Sequence, residues 1–440
     1  MIIQGIFVLL LVAAVYLFTV NVKKIIRNIN MGRDVKINDQ KKKRWWLMFK
    51  VAIRQTKMTT RPVAGIMHLL VFLGFILVNI EMIEILIDGI FGTHRLFSFI
   101  GTPYKVLVTA FEFFAFAVMF GCAIFLIRRN VLRLKRFHSK ELTRWPLLDA
   151  NIILTTEILL MFAVLTMNAT DSILQSRGVE HYPAAGSFFI SSFLQPLYVN
   201  MSTESLIFLE RFCWWFHIVG VFAFLNYIPY SKHFHVFLSF PNVWYSKLTP
   251  RAEIENMDSI TNEVKLMLDP SAVPPPPDPG TAQFPFGVKD LKDLTWKNIM
   301  DAFTCTECGR CTSSCPANIT GKKLSPRKVL MDVRDHAEIV GKDIRNKKDN
   351  PDSGKSLFDY ITAEELWACT TCNACTQECP VNIDHVNILI NMRRYLVMEK
   401  AAAPGELNAI FTNIENNGAP WQFSPEDRLL WANNLEINVK

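Results

Sequence analysis

Cys305-Thr-Glu-Cys308-Gly-Arg-Cys311-Thr-Ser-Ser-Cys315-Pro316 and Cys369-Thr-Thr-Cys372-Asn-Ala-Cys375-Thr-Gln-Glu-Cys379-Pro380 decide how the second half of this chain is read. Both have the form C-x2-C-x2-C-x3-C-P. Three thiolates two residues apart can wrap one face of a cubane iron–sulfur cluster, while the fourth turns away and the Pro redirects the chain. In this pattern the fourth Cys serves the other cluster. One 4Fe–4S cluster is therefore expected on Cys305, Cys308, Cys311 and Cys379, and the other on Cys369, Cys372, Cys375 and Cys315. A structural zinc site is the competing reading, but zinc usually takes its four ligands as two separated pairs. Two identical runs of four, each closed by Pro, do not have that form. The other two of the 10 Cys, Cys122 and Cys213, stand alone in apolar blocks, where packing accounts for them. Grouped Cys with short gaps point to metal rather than disulfides.

Working outward, the 440 residues are 50% hydrophobic, and the charge-poor blocks fill the first half. Five segments, near 2–22, 62–84, 104–127, 147–168 and 208–231, reach the roughly 20 residues needed to span a bilayer. The first has no basic residue before its apolar run and no small-residue cleavage site, so it reads as a span and not a cleavable signal. Lys and Arg crowd the loop from Lys23 to Arg61 and the loop from Arg128 to Arg144; the alternate loops hold Arg95 and Arg177. By the positive-inside rule the N-terminus faces out, and both basic loops and the cysteine-rich half face the cytoplasm of a bacterial inner membrane. The formal charge of +7 sits between apolar blocks. That placement points to membrane lipid and not nucleic acid as partner, and no zinc-finger, RNA-binding or helix-turn-helix signature is present. The apolar stretch 184–200, interrupted by Ser, Gln and Pro, is expected along the outer interface.

The fold expected is mainly α: a five-helix transmembrane bundle over 1–240, a connector with a Pro-rich linker over 241–284, a helical two-cluster domain over 285–400 and a C-terminal segment over 401–440. The run from Asp269 to Gly280 reads as a stiff, extended linker. Ser325-Pro326 reads as an N-cap with Pro at the first helical position. Thr362 with Glu365 forms a capping-box pattern leading into Cys369. The segment from Asp384 to Lys400 has helical periodicity, and 346–356 reads as a loop.

Histidines within spans are candidate ligands, since buried ionisable groups in membranes are usually functional. His217 and His235 are 18 residues apart, about five turns at 3.6 residues per turn. On a helix continuing past Pro229 they share a face, and His233 points away. A haem held by two imidazoles needs partners on facing helices, and His68 with His235 is the natural pair. Glu112 and Glu157 also lie in spans. Quinone or proton handling and a plain hydrogen-bonded carboxyl fit them equally.

The stretch from Phe216-His217 through Pro229-Tyr-Ser-Lys-His233-Phe-His235 resembles the last helix of the respiratory nitrate reductase gamma subunit. In that family two histidines at this spacing bind two b haems, with two further histidines ten residues apart in the second helix. Here His68 is present and Val78 stands ten residues on, so the resemblance implies one haem b and leaves His217 without its partner, the second haem open. The C-terminal half resembles the small iron–sulfur subunit of heterodisulfide reductase, with its helical ferredoxin domain. The combination resembles the fused heterodisulfide-reductase-like oxidoreductases of bacteria, including the quinone oxidoreductases that serve electron-transfer flavoprotein. In those fused relatives a stretch like Gly418-Ala-Pro-Trp421 and Arg428-Leu-Leu-Trp431 leads into a catalytic module with paired CCG motifs. This sequence contains no Cys-Cys-Gly.

The resemblance thus implies an electron-transfer subunit, not catalytic alone, that works between a cytoplasmic CCG-type partner and menaquinone. Trp421, Leu429, Leu430 and Trp431 are the expected docking residues. A membrane redox sensor or scaffold would need an output domain, and none is recognisable. A succinate-dehydrogenase-like anchor would need a further plant-type cluster motif, which is absent.

Overall fold

The computed structural model describes residues 1–183, 186, 188–269, 271, 285–347, 354–422 and 424–433. Five helices are long and apolar enough to cross a bilayer: α1 (Ile2–Ile29), α2 (Pro62–Phe91), α3 (Thr102–Leu126), α4 (Arg144–Ser176) and α5 (Thr203–Tyr227). Pro sits in the first turn of α2 and α3, where its missing N–H costs nothing, and the Ser202 hydroxyl caps α5. α4 is the centre, packed against α3 and α5 and buried without a break from Ala163 to Asp171. α1 lies outermost, with Ile2, Leu9, Val12 and Tyr16 exposed as a lipid-facing surface would be. α2 runs two turns beyond the expected end at residue 84. Glu81, Glu84 and Asp88 recur at helical spacing and are buried rather than marking the water boundary.

A continuous helix from His217 to His235, the condition for a shared face, is not formed. Pro229 cannot donate within a helix and clashes with the preceding turn. α5 ends at Tyr227, a 3-10 turn covers Ile228–Tyr230, and Ser231 is extended at φ −119° and ψ 160°. The Ser231 hydroxyl accepts the His233 amide at 3.1 Å and starts a new turn. His235 then opens a separate helix, α6 (His235–Trp244).

Beyond the bundle come α7 (Trp296–Thr304), α8 (Pro326–Arg345), α9 (His385–Met398) and α10 (Gly405–Asn417). Ser325 caps α8, and Thr362 with Glu365 completes the capping box before Cys369, as the sequence predicts. Of the linker and loop, residues 270, 272–284 and 348–353 lie outside the described residues. These helices do not stand apart from the bundle. Leu294, Ile299, Val329 and Leu330 belong to the same buried core as Ile25 and Ile29 of α1 and Phe224 of α5. At Gly341 the α8 backbone meets α1 so closely that a β-carbon would fall 2.1 Å from Asn28 Oδ1. Arg327, fully buried, donates to Glu141 Oε1 at 2.6 Å and to the Arg136 carbonyl at 2.7 Å, joining α8 to the second basic loop. The first basic loop is joined through Arg33, whose amide donates to the Leu294 carbonyl at 2.7 Å. Both basic loops and the cysteine-bearing helices therefore occupy one end of the bundle.

Candidate functional site

The two cysteine motifs follow the same backbone path. The second residue after the first Cys of each is left-handed, Glu307 at φ 52° and Thr371 at φ 54°. So is the residue after the second Cys, Gly309 at 69° and Asn373 at 59°. These turns curl the chain so that amides face sulfur, as Thr371 N does toward Cys369 Sγ at 3.4 Å. A single helical turn follows in each, Arg310–Ser313 and Ala374–Glu378. The fourth Cys is then extended, Cys315 at ψ 118° and Cys379 at ψ 120°, and leads into Pro.

The fourth cysteines are exchanged between the motifs. Cys379 joins Cys305, Cys308 and Cys311 around one pocket. Cys315 lies by Cys369 and Cys372, and Cys375 by Cys369 and Cys315. All ten thiols are free. Among the described residues no three His, Cys, Asp or Glu converge tightly enough for a single metal ion. A ring of thiols around a void is the arrangement a multi-atom cluster needs. Burial pushes the Cys305, Cys375 and Cys379 thiols up to about 12. Such a cage favours thiolates only with compensating positive charge, which iron supplies. The residues thus fit 4Fe–4S clusters. Cys372 is exposed and Cys369 partly so, whereas Cys305, Cys311 and Cys379 are buried. The Cys315 group therefore stands nearer the surface.

The His68 and His235 rings lie 6.4 Å apart between centroids. Two imidazoles on one metal, with bonds of about 2.0 Å and about 1.1 Å from nitrogen to centroid for ring bonds near 1.33 Å, would stand about 6.2 Å apart. His68 Nδ1 pairs with Gln55 Oε1 at 2.9 Å, and His235 Nδ1 with the Lys232 carbonyl at 3.0 Å. Holding Nδ1 in this way fixes the ring and leaves Nε2 as the ligand atom. The residues present fit a bis-imidazole haem. His233, read from sequence as pointing away, has its ring 5.6 Å from that of His235. Its Nε2 is buried without a hydrogen-bond partner, and burial pushes its pKa down to about 3. The signal available for it was the His-x-His spacing. His217 is buried with Nδ1 toward the Leu160 carbonyl at 3.1 Å. It has no ring contact with another histidine among the described residues.

The histidine pair and the Cys305 group adjoin. Arg310, between Cys308 and Cys311, donates to the Lys57 carbonyl at 2.8 Å. Lys57 Nζ donates to the Cys379 carbonyl at 2.9 Å. Lys57 is two residues from Gln55, the partner of His68, and burial lowers its amine to about 8.

Glu112 and Glu157 part company. The Glu112 carboxylate accepts from Ile190 N at 3.0 Å, from Asn168 Nδ2 at 3.3 Å and from the Ser191 hydroxyl, and so fastens the 188–193 segment. Glu157 is half-buried with no hydrogen-bond partner among the described residues. Sequence reasoning missed a buried polar network at the same far end. There Arg95 donates to Asp171 Oδ2 and Asn168 Oδ1, each at 2.7 Å, and Tyr104 to Glu84 Oε2 at 2.7 Å.

Fold and site together define a bundle of apolar helices carrying a two-cluster iron–sulfur unit, and comparison with known proteins agrees. Residues 304–383 match the model of a 4Fe–4S dicluster domain. The chain is 28% identical to the probable iron-sulfur-binding oxidoreductase FadF of Bacillus subtilis, over 97% of this chain and 60% of that protein. It is 27% identical to the EtfAB:quinone oxidoreductase of Syntrophomonas wolfei, over 92% of this chain and 56% of that protein. It is 32% identical to one subunit of the ferredoxin/F(420)H(2)-dependent CoB-CoM heterodisulfide reductase of Methanosarcina acetivorans, over 26% of this chain and 59% of that polypeptide. The chain thus spans less than two thirds of the length of each of these relatives. No solved structure matches it.

Proposed function

We propose that this chain is the membrane-anchored electron-transfer subunit of a heterodisulfide-reductase-like quinone oxidoreductase. Electrons pass between a cytoplasmic CCG-type catalytic partner, the cluster on Cys315, Cys369, Cys372 and Cys375, the cluster on Cys305, Cys308, Cys311 and Cys379, haem b on His68 and His235, and menaquinone. The single observation that carries this reading is the junction at the end of the bundle. One ring of four thiols abuts the two segments that hold the facing imidazoles, Gln55–Lys57 and Lys232. In this order the protein's part is to place and tune cofactors.

Each end of the wire follows from exposure. The exposed Cys372 marks the port for the soluble partner, for which electron-transfer flavoprotein is the upstream donor by analogy with the quinone oxidoreductase relative. Ile414, Trp421, Leu429, Leu430 and Trp431 expose a run of bulky apolar side chains near the C-terminus, and we assign partner docking to it. Glu157, without a hydrogen-bond partner among the described residues, is assigned to quinone or proton handling in preference to Glu112, whose carboxylate is already engaged. The basic loops put the cluster unit in the cytoplasm and the N-terminus outside.

The test is redox-difference spectroscopy of the purified chain with added menaquinol analogue. Haem absorbance and both cluster signals should appear and should be reduced together. A chain with adequate haem supply that shows no haem absorbance, or clusters that quinol does not reduce, overturns the reading.

A further inference from the structure

The two cysteine motifs match in backbone, yet the first holds two buried charges that the second lacks, Glu307 and, where the second has Ala374, Arg310. Where the second motif has Thr371, the first has Glu307, 6% exposed. Cluster ligation gives no reason for a carboxylate there. Its Oε2 accepts Lys232 Nζ at 2.6 Å and its Oε1 accepts Arg334 Nη1 at 2.8 Å. Its backbone carbonyl accepts Arg327 Nη1 at 3.3 Å, and its amide donates to the Cys305 sulfur.

Lys232 is fastened equally well on its own side. Its Nζ also donates to the Pro146 carbonyl at 2.7 Å, and its amide to Asp149 Oδ2 at 3.1 Å. Its carbonyl takes the Nδ1 hydrogen of His235 at 3.0 Å. An unbroken line of short polar contacts thus joins an imidazole of the histidine pair to a thiol of the nearer cysteine ring. A buried ion pair is weak as a source of stability, since well-packed apolar residues of similar volume often do as well; what it supplies is fixed geometry.

We propose that Lys232 and Glu307 are positioning residues that lock the His235 imidazole and the Cys305–Cys308 loop into one rigid unit, setting the rate of electron exchange between the cofactors they hold. This rests on the functional reading above, with haem on His68 and His235 and a cluster on the Cys305 group. It adds that this ion pair builds the coupling on the His235 side, beside the Lys57 link on the His68 side, and it requires neither residue to touch a cofactor.

The experiment uses the full-length chain in detergent, as wild type, Lys232→Met, Glu307→Gln and Lys232→Arg. Haem and iron per chain are counted first. The low-spin haem resonance and the rate of cluster-to-haem electron transfer after rapid reduction are then measured. With both cofactors retained, Lys232→Met should slow transfer, because it keeps the carbonyl that holds His235 Nδ1 but unties that segment from Glu307. It should also shift the haem resonance, which a merely structural loss of stability would leave in place. Glu307→Gln should slow transfer less, because it keeps the side-chain shape and an acceptor. Lys232→Arg should restore both readouts. An open cleft borders Lys232, Glu307 and Arg334, so the longer side chain meets space there. If Lys232→Met loses haem, Glu307→Gln decides. Wild-type rate and resonance in a fully loaded Lys232→Met or Glu307→Gln chain overturn this inference alone. A wild-type chain without haem overturns the functional reading and this inference with it.

Discussion

Gln55 offers a perturbation whose sign follows from the geometry. Its side chain is 4% exposed and its amide oxygen lies 2.9 Å from His68 Nδ1. An acceptor on Nδ1 makes the imidazole a stronger donor to iron and so favours the oxidised haem. Gln55→Leu removes that acceptor without dismantling the turn, because the Gln55 backbone carbonyl, which accepts Met58 N at 2.8 Å and Thr59 N at 3.2 Å, is untouched. A neutral hydrogen bond contributes about 0.5–1.5 kcal/mol net, and about 1.4 kcal/mol corresponds to 59 mV for one electron. If the whole difference falls on the oxidised form, the haem potential should rise by about 20–60 mV. Gln55→Glu, which offers a charged acceptor, should move it downward, charge-assisted hydrogen bonds being roughly twice as strong as neutral ones. The assay is a spectroelectrochemical titration of the alpha-band absorbance, with haem content measured in parallel. A loaded Gln55→Leu chain whose potential is unchanged or lower would refute the assignment of His68 as a ligand oriented by Gln55.

Further outcomes follow from the same site. Cys315→Ser should abolish the paramagnetic signal of the cluster on Cys369, Cys372 and Cys375 and lower iron from about eight to about four atoms per chain; loss of the Cys305-side signal instead would refute the exchange of fourth ligands. His217→Ala should leave the haem spectrum intact, whereas His68→Ala and His235→Ala should each abolish it, as read by reduced-minus-oxidised spectra. Arg327→Leu leaves Glu141 without its guanidinium and should loosen the α8 docking by about 3–5 kcal/mol, measured as earlier chemical unfolding of the cluster unit. Removal of residues 418–440 should leave haem and iron content unchanged while abolishing co-purification of a CCG-type protein from native membranes; retention of that partner would sink the docking assignment.

The parts of the fold that were legible are those whose signal is local and repeated. An apolar run longer than a bilayer is thick can end in few ways, so the five helices were readable, though not the buried carboxylates that let α2 continue to Phe91. The Glu81, Glu84 and Asp88 spacing held that signal, though the span was ended at residue 84. A span can also end inside protein when its polar groups meet partners, as Glu84 meets Tyr104 at 2.7 Å and the Phe97 amide at 2.8 Å. The Thr362–Glu365 capping box and the Ser-Pro start were legible for the same local reason. Whether the helix continues past Pro229 was left open by the sequence. The outcome turned on Ser231, whose extended backbone and hydroxyl cap begin a new turn. That break, and not a shared helix face, brings His233 and His235 together.

The site divides along the same line, and the division says where to look in such chains. Cysteine spacing encodes the loop that wraps a cluster, so the two thiol groups were readable; His68 was read opposite His235, and their rings lie 6.4 Å apart. What joins the histidine pair to the thiol ring is different in kind. Lys57 reaches Cys379 across 322 residues of sequence, and Lys232 reaches Glu307 across 75. Each such link is one pair, with no period and no motif, because its geometry depends on how the bundle end and the cluster unit share a core. The trace such a link leaves in sequence is an asymmetry between two motifs that share one ligand pattern. Glu307 against Thr371 is one such trace, as Arg310 against Ala374 is another: the ligand chemistry is the same in both loops, so the Glu307 charge answers to a neighbour outside the motif. That neighbour is a lysine whose own carbonyl orients a histidine.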